Sequence, residues 1–187
     1  MSDLTKYTDS ELHKMLRGSR KRSEEAFQFI YNKHSQRIYA YCLRVTGHPE
    51  EANDIFQEAF YKFYHSIKKM DDVTNIGGLL LTITRNLSLN YNRDKKSTFN
   101  IEDYNFSTYD DSYENKELLD LISKSLELLD FGYREIFVLR QYQGLSYKEI
   151  AEITGSTVSG VKNKFWRAKE RIKEILEPYL IDIENNI

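Results

Sequence analysis

Lys162, Lys164, Arg167, Lys169, Arg171 and Lys173 crowd one short stretch, opposed between Ser156 and Leu176 only by Glu170 and Glu174. Ammonium and guanidinium groups at this density bind phosphate backbones. Asn163 and Trp166 stand among them and add groups suited to a base edge or a groove wall. A second set is Arg85, Asn86, Asn90 and Arg93, followed by Lys95 and Lys96. Its amides and guanidiniums can contact bases as well as phosphates. A third set is acidic and amide-bearing. Asp54 and Glu58 lie one helical turn apart, with Gln57 and Tyr61 on the same face, a surface able to pair with basic groups of a partner. The plainer reading of the first and third sets is a solvated charged helix face.

Other chemistries find little support. His13, His34, His48 and His65 lack metal-ligand spacing. No glycine-rich phosphate cradle and no Ser-His-Asp arrangement can be assembled. Cys42 is the only cysteine and falls on an apolar helical stripe, which predicts a core thiol. With no internal disulfide possible, a reducing cytosol is the default compartment. No apolar run approaches the ~18 residues of a membrane span, and the first residues lack the apolar core of a signal peptide. Net charge is only −2, low for a protein that binds DNA alone. A basic patch on a near-neutral chain suits a DNA reader that borrows affinity from a larger partner.

Helices must position these groups. Thr8 and Glu11 form a capping-box pattern for a short helix from Asp9 to Leu16. Phe27, Ile30, Tyr31, His34, Ile38, Tyr41, Cys42 and Val45 recur at spacings of three and four, a long amphipathic helix ending near Gly47. Pro49 opens the helix that carries Asp54 and Glu58 and runs to Ile67. Met70 to Gly78 reads as a flexible loop closed by two glycines, able to hold an unstacked base, with a helix from Leu79 to about Lys95. Ser97 to Asn115 has five acids, no Lys or Arg and poor periodicity, the pattern of a linker. Helical spacing resumes from Lys116 to Leu129 and again from about Tyr133 to Gln143. Ser146 and Glu149 then cap a helix that stops at Gly155, and Val158, Val161, Phe165, Ala168 and Ile172 form the buried stripe of the next. That pair is a helix-turn-helix, whose second helix lies in the DNA major groove. Pro178 reads as its end. The expected fold is all-α: domains 1–96 and 116–187 joined by an acidic linker, 97–115.

Two helical domains in this order resemble the extracytoplasmic-function (ECF) sigma factors of bacterial RNA polymerase. The resemblance covers nearly the whole chain. Asp54-Ile55-Phe56-Gln57-Glu58-Ala59-Phe60 is similar to the D-x-x-Q-E-x-F of sigma region two, and Arg85-Asn86-Leu87 to its R-N motif. Tyr133 to Arg140, Gly144 to Ala151 and Ser159 to Lys169 are similar to region four. The family's frequent Trp is Leu79 here, a frequent Arg is Thr82, and a Thr of the recognition helix is Gly160.

The resemblance implies a dissociable initiation subunit in the cytoplasm, not an enzyme, with no cofactor, no metal and no membrane insertion. Its implied partners are core RNA polymerase (β′ clamp helices and β flap), promoter DNA and an anti-sigma factor. Asp54, Gln57, Glu58, Phe60 and Tyr61 would bind polymerase. Arg85, Asn86, Asn90 and Arg93 would meet the minus-ten element. Lys162, Asn163, Trp166, Arg167 and Lys169 would meet the minus-thirty-five element. A stand-alone regulator with the same helix-turn-helix would need a sensing domain, usually α/β, where residues 1–96 read as helices. A sigma-mimicking inhibitor would have no use for the basic helix.

Overall fold

The computed structural model describes residues 6–95 and 114–185. Among them are eight helices and no strand, so the fold is all-α. The chain divides into two compact units, residues 1–43 with 48–90, and residues 44–47 with 91–187.

The first unit is built on α1 (Asp9–Leu16), α2 (Arg20–Thr46), α3 (Pro49–Ile67) and α4 (Ile76–Lys95). Thr8 caps α1 with the reciprocal Glu11 bond that its spacing predicts. The α2 and α3 stripes meet through aromatic rings. Phe27 lies 5.0 Å from Tyr64, and Tyr31 lies 4.9 Å from Phe60, which is itself 5.0 Å from Phe56. Tilted and edge-on rings of this kind add to the area they bury. Tyr41, Phe63, Ile67 and Leu80 are fully enclosed. Cys42 is enclosed too, and burial pushes its thiol up to about 12, so it is a core group.

The start of α4 differs from the flexible loop expected between Met70 and Gly78. The helix begins at Ile76, which places Gly77 and Gly78 in its first turn. Asn75 is the reason: its side chain accepts from the Gly78 amide at 2.8 Å and its carbonyl from the Leu79 amide at 3.0 Å. A Cβ at position 78 would stand 2.6 Å from the Asn75 amide nitrogen, so the glycine is what lets this cap close. Further along, the Thr84 and Ser88 hydroxyls donate to the Leu80 and Thr84 carbonyls, which satisfies buried polar atoms within the helix itself.

The second unit comprises α5 (Glu114–Glu127), α6 (Phe131–Gln141), α7 (Tyr147–Thr154) and α8 (Val158–Asn185). Residues 97–113 of the expected linker lie outside the described residues, while Glu114 and Asn115 already belong to α5. Arg134 ties the α5–α6 turn by donating to the Glu127 and Leu129 carbonyls at 2.7 and 3.0 Å. Ser146 and Glu149 form their capping box, and Gly155 takes φ +63°, the left-handed turn that separates α7 from α8. Phe137 stacks on Phe165 at 5.8 Å, while Ile150, Val161 and Ala168 are fully buried between the helices.

Pro178 does not end α8, which continues to Asn185. Proline removes one amide and crowds the carbonyl four residues back. Here that turn is exposed, so water can take the orphaned carbonyl.

Candidate nucleic-acid interface

The second unit presents one cationic face. Val161, Ala168 and Ile172 turn inward, and Lys162, Asn163, Lys164, Trp166, Arg167 and Lys169 are all exposed on α8. Trp166 is 63% exposed, so most of its ring is open to solvent. Thr157 caps this helix, its hydroxyl accepting from the Gly160 amide at 3.0 Å. Tyr147, at the start of α7, lies between two cations. The Arg140 guanidinium is 4.8 Å and the Lys162 ammonium 5.8 Å from its ring centre. Arg140 also donates to the Leu145 carbonyl at 2.8 Å. Cation–π attraction restrains Lys162 beside the first turn of the helix. Spacing could not reveal Tyr147, because the α7–α8 turn decides which rings and cations meet.

The first unit offers a concavity instead. A cleft of about 470 Å³ lies between α3 and α4, lined by Tyr61, Lys62, His65, Ser66, Lys69, Ile83, Asn86, Leu87 and Asn90. The structure thus gathers Asn86, Asn90 and Tyr61 at one site. Arg85 and Arg93 do not line it; Arg85 is half-buried and Arg93 exposed. Lys62, His65, Ser66 and Lys69 are site residues that the sequence reading missed. The spacing of Lys62, His65 and Ser66 by three and four along one face of α3 was the available signal, and Lys69 follows just past its end. Along the same edge the Tyr61 and His65 rings are 4.4 Å apart, Tyr64 follows at 5.7 Å, and the Lys68 ammonium sits 3.7 Å from the centre of the Tyr64 ring. Lys68, and after it Ser23, holds the Tyr64 phenol below its ordinary value. The amides of Asn86 and Asn90 can hydrogen-bond a base, and the Tyr61 and His65 rings can stack on one.

The third set splits. Asp54, Gln57 and Glu58 are exposed on α3, and Tyr61 is 66% exposed. Phe60 is only 4% exposed and sits in the aromatic cluster with Tyr31 and Phe56. Its apolar ring takes the buried side of the helix, where it positions the face and does not present itself to a partner. Glu58 pairs with Lys62 at 2.8 Å, both about half exposed, and this links the acidic face to the cleft rim.

Residues 30–98 match the family described as Sigma-70 region 2, and residues 119–172 match Sigma-70, region 4. The chain is 28% identical over 180 residues to "ECF RNA polymerase sigma factor SigW" of Bacillus subtilis, covering 88% of this chain and 96% of that protein. It is 28% identical over 192 residues to "RNA polymerase sigma-H factor" of Pseudomonas aeruginosa, covering 95% and 98%. The chain belongs to the ECF sigma factors.

Two solved structures share the fold at a TM-score of 0.66 and 23% identity. One is RpoE of Bartonella quintana, in complex with the anti-sigma factor NepR, covering 81% of this chain and 96% of that one. The other is CnrH in complex with the cytosolic domain of CnrY, covering 91% and 97%. In this ECF sigma factor the region 2 match spans the cleft and the acidic face, and the region 4 match ends at Ile172, within α8. Helix α1 precedes both. As an ECF sigma factor, the chain binds core RNA polymerase and directs initiation at selected promoters. Among the described residues no helix is long and apolar enough to cross a membrane.

Proposed function

We propose that the two units divide promoter reading between them. Residues 1–96 bind core polymerase through Asp54, Gln57, Glu58 and Tyr61, and hold an unstacked minus-ten base in the α3–α4 cleft with Asn86 and Asn90. Lys62 and Lys69 meet the backbone at its rim, and Arg85 and Arg93 serve the same element from outside the cleft. In the chain, residues 97–113 lie between α4 and α5. Residues 116–187 place α8 in the major groove of the minus-thirty-five element through Lys162, Asn163, Trp166, Arg167 and Lys169. The chain works in the cytoplasm as a binding subunit without catalysis of its own, and an anti-sigma factor of the kind bound to RpoE restrains it.

The observation that carries this reading is the cleft itself. Two amides a turn apart, Asn86 and Asn90, line it together with Lys62 and Lys69, and its volume of about 470 Å³ leaves room for a base turned out of its stack. Promoter-dependent run-off transcription with added core polymerase tests it. Wild-type protein should yield a discrete start. Asn86→Ala should lower opening at the minus-ten element while a minus-thirty-five footprint persists. Equal opening by both proteins would sink the cleft assignment.

A further inference from the structure

Besides an Asp9–Lys33 ion pair at 3.8 Å, helix α1 and its C-cap direct several polar groups at the α3–α4 connection. The His13 ring Nε2 donates to the Ile67 carbonyl at 2.9 Å, at the last residue of α3. Arg17 Nη1 donates to the Met70 carbonyl at 3.2 Å, and the Ser10 hydroxyl to Asp72 Oδ1 at 3.2 Å. Asp9 Oδ2 accepts from the Ile76 amide at 2.7 Å, at the first residue of α4. Asp9, His13 and Arg17 are spaced four apart, so they form one stripe. An isolated helix of eight residues would not persist in water. This one is anchored by Leu12 and Leu16, each 1% exposed, which leaves its polar stripe fixed against the segment from Lys68 to Asn75.

The place of these bonds matters more than their number. They fasten the point where α3 stops and the point where α4 starts. A carboxylate on the first amide of a helix also meets the positive end of its dipole. The cleft opens between these two helices, and its rim residue Lys69 directly precedes Met70, whose carbonyl Arg17 holds. Neither the three α1 residues Asp9, Ser10 and His13 nor Arg17, which caps the helix C-terminus, lines the cleft. Base recognition tolerates misplacement of only about 0.5 Å. A slip at either fastening would displace Lys69 or the α4 amides by a comparable amount.

We infer that α1 is a brace for the base-reading cleft, with Asp9, His13 and Arg17 as positioning residues that set minus-ten discrimination. The inference rests on the cleft reading of the preceding section. Full-length protein with core polymerase tests it on promoters that differ by single bases across the minus-ten element. His13→Leu, Asp9→Ala and Arg17→Ala should each lower the ratio of transcription from the preferred base to the next best by about threefold to tenfold. Helical signal and binding to core should stay at wild-type levels. His13→Gln and Asp9→Asn keep a group able to make the bond and should restore most of the ratio. Arg17 is exposed, so its variant stays readable if His13→Leu weakens folding.

An unchanged ratio, or a loss spread equally over all promoters, overturns the brace. Asn86→Ala serves as the separate control. If it too leaves the ratio unchanged, the cleft reading has failed. If it lowers the ratio and the α1 variants do not, the brace alone has failed.

Discussion

In the proposed division of promoter reading, the cleft of the first unit and the basic helix of the second would meet nucleic acid by opposite means. Helix α8 is cationic, with its lysines and its two arginines, Arg167 and Arg171, exposed. The α3–α4 cleft is concave, and its rim lysine Lys62 is already paired with Glu58. Charge on an exposed face supplies affinity that reports little about sequence. Amides in a concavity supply discrimination with little long-range attraction. The six Lys and Arg residues between Lys162 and Lys173 concentrate charge on one helix of a chain whose net charge is only −2.

The largest effect should come from removing the support that both surfaces share. Asp54→Lys with Glu58→Lys should cost about 2–5 kcal/mol in core binding, measured by competition for polymerase, because like charges would face the partner's basic groups. Both readers would then fall silent together. Wild-type affinity would show that α3 is a plain solvated face. Next in size, Asn86→Ala should remove about 1–3 kcal/mol of discrimination at one minus-ten position. It should leave the salt dependence of duplex binding unchanged.

Lys162→Ala or Arg167→Ala should do the reverse. If either side chain touches phosphate, the slope of log affinity against log salt should flatten by about one unit and all sequences should weaken alike. A change confined to one base position would make that residue a reader, and the contrast between the two units would shrink. Tyr147→Leu releases Lys162 from its ring and should weaken minus-thirty-five binding by about 0.5–1 kcal/mol, whereas Tyr147→Phe should not. Titration of the duplex fragment separates the two variants.

The smallest effect concerns acid. All four histidines, His13, His34, His48 and His65, lie in the first unit. Burial first, then Lys33, holds the His34 imidazole below its ordinary value of 6.5. The unfolded chain therefore takes up the proton more readily than the folded one. The stabilisation is complete above the unfolded value and is lost as pH falls through the folded one. Urea midpoints for the first unit should decline below pH 6.5, and His34→Gln should flatten that decline. Identical profiles would remove His34 from the account.

What the sequence made legible was local. Both capping boxes, the bounds of α1 and α3 and the left-handed Gly155 depend on residues within a few positions of one another. The start of α4 depends on Asp9, 67 positions away, and on an asparagine side chain folding back over Gly78. Neither leaves a periodic trace. Pro178 misled because its cost depends on whether water reaches the freed carbonyl, which is a matter of exposure. The candidate site was half legible. Asn86 and Asn90 announced themselves by type and spacing, but Lys62, Ser66 and Lys69 become neighbours of those amides only once α3 and α4 lie side by side. Phe60 looked like a contact residue by resemblance, yet its ring belongs to the aromatic packing between α2 and α3.

The Glu58–Lys62 pair sets a bound on communication within the first unit. Each partner serves a different surface, so a group that captures Glu58 frees the charge of Lys62 for the cleft, and a phosphate that captures Lys62 frees Glu58. Linkage makes the two exchanges equal in size. A half-exposed pair is worth no more than about 1 kcal/mol, so each event can favour the other by at most about fivefold. Polymerase docking and strand capture are therefore nearly independent through this route. Any stronger dependence of one on the other must be carried by the polymerase.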